Sequence, residues 1–127
     1  METGGDNVGN EKSVTEKYID LDQLEYNENT LRFLRKKLDD FTIDIFRETV
    51  RSNKEHKGMV KTRIPNYQNM RKKYDSSFLM LEAQGFIEKR EDGTATPYYV
   101  TIRGQQLLTI LKEEKRKKEE EKQNETI

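Results

Sequence analysis

A chain of 127 residues with 31% hydrophobic and 38% charged residues has material for one compact domain, and its formal charge is zero. The absence of cysteine excludes disulfides and thiolate metal sites, and His56, the single histidine, has no second histidine with which to hold a metal. No apolar run approaches the span of a bilayer and none follows the first methionine, so neither a membrane anchor nor a secretory signal is expected, and the expected location is the cytoplasm.

The zero sum conceals a polarised chain. Residues 1–28 carry eight acidic and two basic groups, a net charge of minus six. Residues 29–58 sum to plus three, 59–90 to plus four and 91–127 to minus one. A partner responds to the local field and not to the total, so an anion would meet this protein through its middle.

Residues 1–17, METGGDNVGNEKSVTEK, lack periodicity and aromatics and read as a disordered acidic arm, with order beginning between Tyr18 and Glu28. Leu24, Leu31, Leu34, Leu38, Phe41 and Ile45 then recur at steps of seven, three, four, three and four, which is one face of a helix. Phe46 and Val50 extend that face, while Asp39-Asp40 offers a cap that would split the stretch in two. Two readings of the stripe stand open: packing on the domain's own core, and a face shared with a second subunit. SNKEHKG breaks the pattern and puts His56 in an exposed loop, after which Met59-Val60 can form a minimal strand.

After Pro65, the residues Met70, Tyr74, Phe78 and Leu81 step at four, four and three along a helix that Gly85 ends. Residues 86–90 are a strand candidate. Asp92-Gly93 marks a turn, Pro97 bars a helix, and Tyr98, Tyr99, Val100 and Thr101 suit a pleated strand, so a hairpin with a mobile polar tip is expected. Beyond Gly104, the residues Leu107, Leu108, Ile110 and Leu111 form the apolar patch of a last helix. Residues 112–127 continue as a charged helical extension with no apolar residue before Ile127.

Helix, short strand, ill-defined helix, helix ending in Gly, strand, polar tip, strand, helix is the order of a winged helix-turn-helix, with the tip as its wing. Two motifs sharpen this. Leu81-Glu82-Ala83-Gln84-Gly85-Phe86-Ile87 resembles the Leu-Glu-x-x-Gly-apolar-Ile close of the recognition helix in the MarR and PadR groups of winged-helix transcription regulators. Tyr98-Tyr99-Val100-Thr101-Ile102-Arg103-Gly104 is similar to their Tyr-Tyr-x-Leu-Thr-x-x-Gly run into the last helix. The resemblance covers about residues 41–111. It implies an α+β, mostly α fold, a winged helix-turn-helix with a two-stranded wing and additional N- and C-terminal helices, occupying residues 18–111. It also implies a nucleoid-associated, dimeric transcription regulator bound to double-stranded DNA. The chain departs from the pattern at Thr62-Arg63-Ile64-Pro65-Asn66-Tyr67, where a proline stands in place of a regular second helix. That helix is therefore expected to be short or late, and the recognition helix to start between Asn69 and Asp75.

With Met70, Tyr74, Phe78 and Leu81 inward, Gln68, Lys72, Asp75, Ser76 and Leu79 point away, flanked by Arg71 and Lys73. In a major groove, Arg71 or Lys72 suits guanine acceptors or phosphates, Gln68 or Asn69 suits adenine, and Leu79 suits a thymine methyl, with Ser76 at the base edges. The resemblance implies a wing at the minor groove or backbone, which puts Lys89, Arg90, Thr94 and Thr96 on phosphates. Dimerisation is expected through Leu24, Leu31, Leu34, Leu38, Leu107 and Leu111. No nucleophile–base pair, metal-ligand spacing or Gly-rich phosphate loop is present, so neither an enzyme nor a cofactor is expected. Two other uses stand beside the regulator: a centromere-binding adaptor of plasmid partition or a chromatin-like DNA adaptor, and a winged helix for protein contact with the charged tails as docking segments.

Overall fold

The computed structural model describes residues 21–125 apart from Asp92 and Thr94. The expected acidic arm of residues 1–17 and two positions of the expected mobile tip thus lie outside the described residues. The described chain is mostly helical, with four α-helices and one two-stranded antiparallel sheet.

The long leucine stripe is two helices, because two short polar residues cap their own starts. At α1 (Glu28–Lys36), Asn27 accepts from the Thr30 N–H at 2.9 Å; at α2 (Asp40–Lys54), Asp39 accepts from the Thr42 N–H at 2.8 Å. Helix α2 buries Thr42, Ile43, Ile45, Phe46, Thr49 and Val50, so it is the central helix of the core. Its end turns through His56, an exposed residue at φ +64°, into Met59, whose N–H and C=O both pair with Tyr98.

No α-helix forms between Met59 and α3 (Arg71–Ala83). Ile64 is held at ψ 130° ahead of Pro65, away from the helical region, and Asn66 sits at φ +72°. What remains are two 3₁₀ turns, Lys61–Arg63 and Gln68–Met70. Helix α3 ends at Gly85, which takes φ +82°; its N–H bonds to the Glu82 carbonyl and that of Phe86 to the Leu81 carbonyl. This paired C-terminal closure requires a left-handed residue, which glycine adopts without strain.

Strands β1 (Ile87–Lys89) and β2 (Tyr98–Val100) pair Ile87 with Val100, Glu88 with Tyr99 and Lys89 with Tyr98. Helix α4 (Ile102–Glu125) starts directly after β2: the Thr101 hydroxyl accepts from the Gly104 N–H at 3.0 Å and donates to the Gly85 carbonyl at 2.6 Å. Its first turns bury Leu107, Ile110 and Leu111, and residues 115–124 run on exposed. Helix α1 lies on α4, tied by Arg35 to Glu114 at 2.9 Å and Arg32 to Glu113 at 3.3 Å.

Candidate nucleic-acid interface

The seat of α3 decides which of its side chains face outward. Phe78 and Leu81 are fully buried, Phe78 stacking on Tyr98 with centroids 4.8 Å apart, and Ser77 shares a 2.8 Å hydrogen bond with Thr42 of α2. Tyr74 is half-buried between Phe41 and Tyr67, at 5.1 and 6.0 Å. On the opposite side Lys72, Ser76, Leu79 and Ala83 are exposed at steps of four, three and four, one helical stripe, with Met80 beside it. Gln68 and Asn69 continue the stripe as exposed residues of the 3₁₀ turn, where the Asn69 amide donates to the Asn66 side chain at 3.2 Å. The helix itself starts at Arg71, inside the expected interval.

Asp75 does not point away as the wheel predicts. Its Oδ1 accepts from the Tyr67 hydroxyl at 2.7 Å and from Lys61 Nζ at 2.9 Å, and its Oδ2 lies 3.8 Å from Arg71 Nε. The Tyr67 bond first, then Lys61, hold the Asp75 carboxyl below the ordinary carboxylate range. Burial alone would lower the pKa of Lys61; the hydrogen bond and charge of Asp75, with Tyr98 and Tyr67, outweigh it and raise that pKa.

The basic residues differ in what they already hold. Lys73 places its ammonium 4.3 Å from the Phe41 ring centroid. On the hairpin, Lys89 lies 3.9 Å from Glu82 of α3, and Arg90 binds Glu88 at 2.9 Å while packing over the Tyr99 ring at 4.5 Å. Lys72 and Arg63 are exposed cations whose side chains have no hydrogen bond or ion pair among the described residues. Thr96 is exposed near the base of the hairpin, and Thr94 lies outside the described residues. The expected DNA-contacting residues thus fall into two groups: Gln68, Asn69, Arg71, Lys72, Lys73 and Ser76 on one helix with its preceding turn, and Lys89, Arg90 and Thr96 on the hairpin. Sequence reasoning missed Lys61 and Arg63. Neither falls in a periodic segment; Pro65 signals only that the path there is irregular.

The expected dimer residues require a correction. Leu31 and Leu38 are 5% exposed, Leu111 2% and Leu107 0%, all within the single chain's own core, and Leu34 is half-buried against it. Leu31, Leu38, Leu107 and Leu111 are therefore covered by their own chain, while Leu34 keeps part of its surface. Leu24 is the most exposed of them, at 42%, with Phe33 of α1 at 57%.

A groove of about 960 Å³ opens between α2, residues 56–65 and the hairpin. Its walls carry Asp44 and Glu48 as well as Lys57 and Arg63, so they favour neither sign of charge. Among the described residues no group of three His, Cys, Asp or Glu side chains is placed to hold a metal ion, and no helix is long and apolar enough to cross a membrane. Comparison of the chain with protein-family models, curated proteins and solved structures finds no match.

Proposed function

We propose that this chain is a winged-helix protein that binds double-stranded DNA through α3 as recognition helix and the β1–β2 hairpin as wing, and that it regulates transcription. The observation that carries the reading is the uncovered stripe of Lys72, Ser76 and Leu79 on a helix whose opposite side is seated on the core, continued by Asn69 of the preceding turn. An α-helix fits a major groove, and a rigidly seated one presents its outward side chains in fixed register to base edges. Leu79, 65% exposed to water, gains an apolar neighbour if it meets a thymine methyl. The element order supports the fold part of the reading: α2, the Met59 bridge, a capping segment in place of a second helix, α3, β1, a tip, β2 and α4.

The two groups have separable duties. Lys72, unpartnered, serves base edges or the adjacent phosphates, and Arg90 serves the backbone by exchanging Glu88 for phosphate. The test begins with a duplex selected from a random pool by the wild-type protein, compared with a scrambled duplex by fluorescence anisotropy across a salt series. Lys72→Ala should lower the preference for the selected duplex, by about 1–3 kcal/mol for a good bidentate contact. Arg90→Ala should weaken both duplexes alike, with the slope of log affinity against log salt falling by roughly one. Wild-type-like binding by both variants at every salt concentration would sink the reading.

One observation favours a second reading, in which the same face contacts a protein: Leu79 and Met80 stand exposed together, at 65% and 41%. Failure of the wild-type protein to prefer any duplex, with no salt dependence, would move the assignment there.

A further inference from the structure

We propose that Asp75 is a positioning residue of this interface: it fastens the 61–67 segment onto α3 in place of a second helix and withdraws Lys61 from the charge that phosphate can recruit. The inference rests on the DNA-binding reading for its second half only. One carboxylate oxygen accepts from both Tyr67 and Lys61, at 2.7 and 2.9 Å, and these two residues bracket the stretch that Pro65 keeps from forming an α-helix. Within that stretch the backbone bonds are short-range turns, Arg63 N–H to Val60, Ile64 N–H to Lys61 and Tyr67 N–H to Ile64. The apolar contact with α3 comes from Tyr67, which is 4% exposed and lies 6.0 Å from the Tyr74 ring, while half-buried Ile64 packs on the core. Asp75 is the polar tie between the segment and α3. It stands two helical positions past Lys73, so the same carboxylate fixes where the first basic turn of α3 sits relative to Arg63.

Exposure separates the two cations around Asp75. The Lys61 side chain keeps 31% of its surface and approaches to 2.9 Å, whereas Arg71 keeps 68% and stands off at 3.8 Å. Arg71 can swing to a phosphate at little cost, whereas Lys61 can leave only by giving up the nearest cation to a half-exposed carboxylate, whose negative charge then repels an approaching phosphate. The geometry therefore makes Lys61 a basic residue near the interface that contributes no phosphate contact, and leaves Arg63, Arg71 and Lys72 to do so.

Two variants test this with two readouts, the salt slope on a random-sequence 20-base-pair duplex (about two helical turns) and amide hydrogen exchange in free protein. Asp75→Asn keeps an oxygen for Tyr67 and removes the charge that holds Lys61. It should steepen the slope by roughly one and raise affinity for random duplex on the order of fivefold at 0.1 M salt, while exchange at Arg63, Ile64 and Tyr67 accelerates relative to α2. Lys61→Met removes a cation yet should leave the slope at the wild-type value, with the same faster exchange. A slope that falls by about one in Lys61→Met, or an unchanged slope in Asp75→Asn, overturns the withdrawal of Lys61. Unchanged exchange in both variants overturns the fastening. If wild-type protein shows no duplex binding, the DNA reading and the charge half of the inference fall together, and exchange in Lys61→Met alone decides the fastening, even where Asp75→Asn does not fold.

Discussion

Gly104 sits inside α4, where glycine is a poor choice for a helix, and replacing it with alanine should nonetheless destabilise the protein. Helix propensity alone favours the change by about 1 kcal/mol. The structure opposes it: a Cβ on Gly104 would lie 2.3 Å from the Phe86 carbonyl oxygen and 2.6 Å from Val100 Cγ1. The first of these is backbone and cannot rotate aside, so α4 must move away from the sheet. Movement there strains the Thr101 N–H bond to Phe86, the Thr101 hydroxyl bond to Gly85 and the Arg103 bond to the same carbonyl, at 3.1, 2.6 and 2.9 Å. Overpacking typically costs about 1–3 kcal/mol and each hydrogen bond about 0.5–1.5 kcal/mol. After subtracting the propensity gain, Gly104→Ala should lose about 2 kcal/mol, or roughly 10 °C in Tm for a domain of this size. Thermal and urea denaturation followed by circular dichroism measure it, with Gly93→Ala as comparison. Gly93 has φ +65° and nothing within 4 Å of an added Cβ, so only its backbone conformation is penalised, by about 1 kcal/mol. A Gly104→Ala protein with Tm at or above wild type would refute the packing argument.

Leu31→Glu, which would release folded monomers if Leu31 lay between subunits, should instead unfold the chain, with a loss of about 3 kcal/mol or more from a buried unpaired charge; sedimentation of a folded smaller species would reverse that conclusion. Asn53→Ala should cost about 2 kcal/mol, because its side chain accepts from the Val100 N–H at 2.8 Å and donates to the Lys57 carbonyl at 2.8 Å, joining the end of α2 to β2; an unchanged urea midpoint would contradict it. Asp39 and Asp75 both have depressed carboxyl pKa values, Asp39 through hydrogen bonds from Thr42 and Asp75 through Tyr67 and then Lys61. Such groups stabilise the fold above their unfolded pKa and cease to as pH falls through the folded one, so the gap in Tm between wild type and Asp75→Asn should be steady above about pH 4 and close below it. Truncation from residue 116 onward takes away residues 116–124, which are exposed, and keeps Glu113 and Glu114, so Tm should stay within about 2 °C of wild type.

What the sequence determined by itself was whatever is decided within a few residues. Asn27 and Asp39 cap helices by bonding N–H groups three positions on, Gly85 supplies the left-handed turn that ends α3, and Pro97 with Tyr98 to Val100 marks the second strand. The wheel of α3 was legible at Phe78 and Leu81 for the same reason, since helical period fixes which side chains share a side. It misplaced Asp75, whose partners Lys61 and Tyr67 arrive along an irregular path that no period encodes. The leucine stripe shows the limit most clearly. Periodicity reveals that one side of α1 is apolar but not what covers it, and the cover comes from α4, with Arg32 meeting Glu113 and Arg35 meeting Glu114 some eighty positions later. Tertiary packing alone decided that Leu31, Leu38, Leu107 and Leu111 are interior, because burial is a property of surfaces brought together and an apolar side chain is satisfied equally by its own chain or by another.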